Sequence, residues 1–211
     1  MNNLDFIYQR QSVRKFKDQE VPIEDIKKII QAATYAPSGK NIQNWHFVVI
    51  KDKEKIEEVA KIVERKNAEL ANLIQDEAMK KSFTKFLRFG TFFRNAPVII
   101  LVYTEDSYQP TGLNILKAIG ASTDEVHTLL RPNPAIQSIG AAMENLALAA
   151  TNIGYGTCWM TSQNYAAKEI TDFVGFKKEG YFLAATIPLG IPDGEIKSPP
   201  RIPVEKVMTI I

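Results

Sequence analysis

The chain has 211 residues, enough for one domain with a sizeable core, read here as a single domain over 1–211. A formal net charge of +2, with basic and acidic residues interleaved, gives no electrostatic case for nucleic acid. Cys158 is the only cysteine, which excludes an internal disulfide framework and any cysteine-rich metal site.

In chain order, Leu4 to Tyr8 reads as a short helix, and Val21-Pro22 opens a second. In that second helix Ile26, Ile29, Ile30 and Ala33 recur at helical spacing, and Pro37 and Gly39 end it. Trp45 to Ile50 is β-branched and aromatic, hence a strand. Asp52 to about Gln75 reads as an amphipathic helix with a solvated face. Met79 to Arg94 is less regular and rich in phenylalanine; Phe83, Phe86 and Phe89 are spaced as a core-facing or interface-facing stripe rather than a ligand surface.

Pro97 to Tyr103 is a buried strand by its continuous apolar run, and is far too short to span a bilayer. Glu105 to Asn133, with Pro110, Gly112, Gly120 and Pro132, reads as loop with short helical turns. Pro134 to Ile153 is apolar on nearly all sides and should be a central helix. Gly154-Tyr155-Gly156 stops it, and Thr157 to Met160 should form a short strand. Asn164 is the expected N-cap of a helix ending at Gly175, Tyr181 to Leu189 a last core strand, and the proline-rich tail an extended arm. The polar N-terminus lacks the apolar core of a signal peptide, so a cytoplasmic location is expected, with no membrane partner.

Two segments carry most of the chemistry. Arg10-Gln11-Ser12-Val13-Arg14 places two guanidinium groups and a hydroxyl within five residues, which suits a phosphate. Pro37-Ser38-Gly39-Lys40-Asn41-Ile42-Gln43 is a turn of short polar side chains leading into a strand. For Lys15, Lys17 and Lys40 the reading is a solvated surface charge. Gln43 and Asn44 fit ordinary turn formers as well as a functional role.

Other chemistries lack their residues. No glycine-rich dinucleotide loop follows a strand, and no Walker-type loop is present. His46 and His127 have no partners at ligand spacing, so no metal site is expected, and His46 reads as a packing or edge residue. Ser38 is not on a nucleophile elbow, and Cys158 reads as a small buried core residue. Without its own acid, base or nucleophile constellation, an enzyme of this sequence would rely on a cofactor.

Together, Arg10-x-Ser12-x-Arg14-x-Phe16, the Ala36 to Trp45 loop, Gly154 to Trp159, and Leu189-Gly190-x-Pro192 with Arg201 and Pro203-x-Glu205 resemble the nitroreductase family. The resemblance implies an α+β fold, a mixed sheet flanked by helices, in an intertwined homodimer with exchange of the C-terminal arm. It implies tightly bound FMN at the dimer interface and NAD(P)H as co-substrate. Arg10 and Arg201 then match phosphate ligands, with Gln11 and Ser12 beside them, and Arg14 matches the residue that supports the reduced flavin ring. Pro37, Ser38, Asn41 and Gln43 match the loop framing ring and small-molecule substrate. Cys158, Trp159 and Met160 match the segment passing the ring's other face. Relatives often place a Lys two residues before the tail Arg; here that residue is Pro199, and Lys197 is the nearest substitute. The implied reaction is ping-pong transfer of hydride to nitroaromatic, quinone or similar acceptors. Reductive dehalogenation, flavin destruction, enoyl reduction and flavin storage stand as alternatives on the same fold.

Overall fold

A computed structural model describes residues 4–106, 108–195 and 199–211. The chain opens with α1 (Asp5–Gln9), then an extended strip leading to α2 (Ile23–Thr34). In α2 the buried positions are Ile26, Ile29 and Ala33, the stripe its sequence spacing marks out. A single tight turn at Gly39–Asn41 precedes β1 (Trp45–Ile50) and α3 (Lys53–Leu73). The Asp52 carboxylate caps α3 by accepting from the Glu54 and Lys55 amides.

The segment expected to be irregular is a regular helix, α4 (Glu77–Thr91), ending in one tight turn at Phe92–Asn95. Its start is fixed by Asp76, whose side chain accepts from the Met79 amide at 2.7 Å. The phenylalanines divide: Phe93 is fully buried, whereas Phe86 and Phe89 stay exposed with ring centroids 5.3 Å apart. Within one chain that stripe is therefore not core.

After β2 (Val98–Glu105), the expected loop contains two helices, α5 (Thr111–Ala118) and α6 (Thr123–Leu130), packed as a hairpin. The signal was present: Ser122 and Glu125 form a reciprocal capping box at the start of α6. Then come α7 (Pro134–Asn152), β3 (Gly156–Thr157), α8 (Ala167–Val174) and β4 (Tyr181–Gly190). The expected four-residue strand at 157–160 is shorter because Cys158 and Trp159 make no ladder bonds; Met160 meets Thr186 in an isolated bridge. Asn164 is no N-cap, since its amide nitrogen donates to the Leu183 and Ala184 carbonyls of β4 instead.

Among the described residues the strands form one four-stranded sheet in the order β1-β2-β4-β3, antiparallel at every pairing. The mixed character expected of the sheet is thus limited, among the described residues, to a parallel bridge between Ser12 and Thr157. Along β2, Val98, Ile100 and Val102 pack with α2 and α7, while Ile99, Leu101 and Tyr103 pack with α3 and α8. Helices thus cover both faces, which explains a continuous apolar run in an antiparallel strand. Full burial of each such side chain contributes about 1.5–3 kcal/mol.

Only one side of α7 is core: Ile139, Ala142, Met143, Leu146 and Ala150 are buried, while Ile136, Gln137 and Glu144 remain exposed. The tail extends away with Ile202, Val204, Val207, Met208 and Ile210 exposed. Among the described residues no helix is long and apolar enough to cross a membrane.

Candidate functional site

The strip after α1 is held as an extra strand. The Val13 amide donates to the Thr157 carbonyl at 2.8 Å, the Lys17 amide to Ile191 at 2.9 Å, and the Asp193 amide to Lys15 at 3.0 Å. Alternation along the strip buries Val13, with Phe16 buried further on, and leaves Arg14 exposed and Ser12 half-buried. Such close apposition requires glycine at 156, because a Cβ there would collide with Val13.

This strip gathers several of the predicted residues. The Arg14 guanidinium donates to the Ser12 carbonyl at 3.3 Å, and Arg10 lies 3.5 Å from the Glu144 carboxylate on α7. The Cys158 thiol sits in the field of the same residues. Burial pushes its pKa up, against the opposing pull of the Arg14 charge, a Ser12 hydrogen bond and the Arg10 charge. Cys158 is accordingly a buried, protonated thiol rather than a nucleophile. Next to Ser12, the side-chain oxygen of Gln11 is buried without a hydrogen-bond partner among the described residues. A buried acceptor left unpaired is open to a donor from a ligand, and the two guanidinium groups of the same strip suit negative charge.

A hollow of about 500 Å³ opens beside Arg14, with Lys53 and Arg94 among its cations and Asp18, Glu57 and Asp193 balancing them. Arg94 is committed there: it grips Glu57 through two nitrogens at 3.0 and 3.1 Å and Glu64 at 2.6 Å.

The polar loop is built differently. Lys40, Asn41 and Gln43 all have positive φ, at 52°, 54° and 48°, a region that costs non-glycine residues of order 1 kcal/mol or more. Two side-chain bonds hold it, one of them from α7. The Gly39 amide donates to Ser138 Oγ of α7 at 3.3 Å, and the Gln43 amide to Ser38 Oγ at 3.1 Å. Below them, Asn44 is fully buried, so the turn-former reading fails for it. Its amide nitrogen donates to Thr104 Oγ1 and the Glu105 carbonyl at 2.9 Å each, and to the Ala135 carbonyl at 3.2 Å. Pro37, Asn41 and Gln43 are left exposed, beside a groove of about 420 Å³ between Pro37–Gly39 and the first turns of α7. Lys40 is not simply solvated either: its ammonium donates to the Gln109 carbonyl at 3.2 Å.

Both clusters lie along α7. Ser138 holds the loop and Glu144 faces Arg10, six residues and thus about 9 Å of helix apart. Between them the half-exposed Trp159 ring reaches Gly140, where a Cβ would lie 3.5 Å from it. Met160 is buried and pairs through its backbone with Thr186. Arg201 is not brought to this site: it is exposed on the tail and makes no hydrogen bond or ion pair among the described residues. Lys197 lies outside the described residues. Ser138 carries little signal in the sequence, a single hydroxyl in the first turns of a largely apolar helix. Among the described residues no cluster of His, Cys, Asp or Glu could hold a metal ion.

A model described as the Nitroreductase family matches residues 7–191. A BluB-like flavoprotein of Clostridium difficile is similar over 100% of this chain and 99% of its own, at 46% identity and a TM-score of 0.93. A nitroreductase of Desulfitobacterium hafniense, solved with bound FMN, is 26% identical, with a TM-score of 0.71 over 100% of this chain and 99% of its own. An Archaeoglobus fulgidus protein, provisionally named an NADH dehydrogenase/NAD(P)H nitroreductase, is 27% identical across 91% of this chain and 86% of its own.

Proposed function

The chain belongs to the nitroreductase family, an FMN- and NAD(P)H-dependent oxidoreductase by that membership, and we propose that it works as a homodimer on electron-poor aromatic acceptors. One observation carries the cofactor assignment to particular residues: Arg10, Ser12 and Arg14 converge on Cys158, and in the same strip the buried Gln11 oxygen has no hydrogen-bond partner among the described residues. Arg10 and Ser12 would hold the phosphate of FMN, by charge and hydroxyl donation. Gln11 would accept from a hydroxyl or N–H of the cofactor. Arg14 would set a cation where negative charge gathers on reduction. When bound, FMN supplies a ring that accepts hydride from NAD(P)H and passes it to a nitroaromatic, quinone or similar acceptor, by a ping-pong sequence.

The other residues bind, orient and exclude water. Pro37, Ser38, Asn41 and Gln43 would form one wall of the cleft, and Cys158, Trp159 and Met160 the opposite one, largely through backbone groups. Arg201 would join the phosphate only from a tail that reaches a neighbouring subunit. Dimerisation would also account for apolar surface otherwise facing water: Ile7 and Tyr8 of α1, Ile136 of α7, Trp159, and Val204, Val207, Met208 and Ile210 of the tail. Cytoplasmic residence and a single functional domain complete the reading.

The test is optical. Purified protein should show the yellow flavin spectrum, bleach anaerobically on addition of NADH or NADPH, recover on adding a quinone, and elute at twice the 23.7 kDa chain mass. Bound FMN that neither nucleotide bleaches would instead indicate flavin storage.

A further inference from the structure

The α5–α6 hairpin is fastened to the polar loop at both of its ends and at one point between. Asn44 donates to the Glu105 carbonyl where the insertion leaves β2, and to the Ala135 carbonyl where it rejoins α7. The third fastening is the Tyr108 ring. One edge of it stands against Gly39, so close that a Cβ on residue 39 would stand 2.8 Å from Cε2, 3.1 Å from Cζ and 3.2 Å from Cδ2. Lys40 completes the contact, donating to the Gln109 carbonyl at 3.2 Å with its ammonium 5.4 Å from the centre of the Tyr108 ring. Ser38 and Gly39, on which Tyr108 rests, also line the groove against α7. On the far side the hairpin carries Ile115 and Ile119 in the open.

A half-buried aromatic placed on a glycine, with a lysine bridging to the next carbonyl, fixes the spacing between two segments that otherwise have no shared secondary structure. We propose that Tyr108 is a specificity-determining residue: its ring sets how far the 111–130 hairpin stands from the Pro37–Gln43 loop, and thereby the size of aromatic acceptor that enters. This rests on the flavin reading above. Asn44 holds both ends of the insertion; Tyr108 is the adjustable contact. Its hydroxyl has no hydrogen-bond partner among the described residues, so the ring carries the effect.

The experiment uses the purified protein with its own cofactor. Hydrogen exchange over residues 111–130 is measured for wild type, Tyr108→Ala, Tyr108→Phe and Gly39→Ala. Kinetics are followed with benzoquinone and with a three-ring quinone. Loss of one aromatic contact corresponds to roughly 3- to 10-fold faster exchange in Tyr108→Ala. KM for the three-ring quinone should fall by a similar factor, with kcat for benzoquinone and the rate of bleaching by NADH unchanged. Tyr108→Phe should match wild type. Gly39→Ala, which displaces the ring, should loosen the hairpin like Tyr108→Ala, and the double variant should be no looser than either single. Unchanged exchange in Tyr108→Ala overturns the contact's role. Faster exchange with an unchanged acceptor profile overturns its role in specificity. A protein that neither contains nor takes up FMN overturns the flavin reading and the specificity role with it, while the exchange data still judge the contact.

Discussion

The Arg10–Arg14 strip and the Pro37–Asn44 loop border the same helix, yet they are made by different means. The strip lies in an ordinary extended conformation, joined to Thr157 and Ile191 by main-chain bonds, and its distinctiveness is side-chain charge. The loop holds three non-glycine residues at positive φ and is fixed by one buried amide and two serine hydroxyls. Charge can be exchanged with little effect on the fold, whereas a strained loop persists only while its surroundings over-determine it. The strip should therefore lose ligand when altered, and the loop should lose structure.

Asn44 offers the sharpest way to break that contrast. Asn44→Ala leaves Thr104 Oγ1 and the carbonyls of Glu105 and Ala135 without their shared donor, and should cost about 3 kcal/mol of stability by chemical denaturation. Asn44→Asp keeps the shape but turns an acceptor towards acceptors, so it should be at least as damaging. A loss below about 1 kcal/mol in both would mean that the loop is held by something other than this amide.

Next in size come the arginines, which should affect ligand and hardly the fold. Arg10→Ala should weaken FMN binding by roughly 10- to 100-fold, the range for one charge-assisted bond. Added salt should weaken wild type more than the variant, because the variant has lost a screened charge. Arg14→Ala should retain most FMN but slow bleaching by NADH. Equal effects of the two on affinity would erase the division of labour between phosphate and ring; a large fall in melting temperature with either would erase the contrast between strip and loop.

The same contrast explains what the sequence could convey. The strip was legible because charge belongs to residue identity: Arg10, Ser12 and Arg14 announce an anion by their side-chain chemistry alone. Helix and strand positions were legible for a similar reason, since Ile26, Ile29 and Ala33 encode their face by spacing. The loop's conformation was not, because Lys40, Asn41 and Gln43 are unremarkable residues whose backbone is set by Asn44 and by Ser138, almost a hundred positions away. The antiparallel sense of β2 was hidden too, since helices on both faces erase the polar alternation that would have marked it. Likewise Asn164 resembles an N-cap locally, and only the carbonyls of β4 show why its side chain points elsewhere.

The smallest expected effect probes the balance inside the strip. At Cys158 two forces oppose: burial favours the neutral thiol, while Arg14, Ser12 and Arg10 favour the thiolate, and burial is the larger. The folded protein should therefore react slowly with iodoacetamide at neutral pH, and raising the pH to that of an ordinary thiol's titration, about 8.5, should accelerate it less than it accelerates a free cysteine. Arg14→Ala, removing the first of the opposing influences, should make the thiol slower still. Cys158→Ser should change FMN affinity by less than about threefold, because only one weak contact is altered and the segment's proposed contribution is through its backbone. Rapid labelling at neutral pH that Arg14→Ala abolishes would reverse the order of these forces. The strip's charge would then shape its surroundings as strongly as packing shapes the loop, and the two regions would differ less than their construction implies.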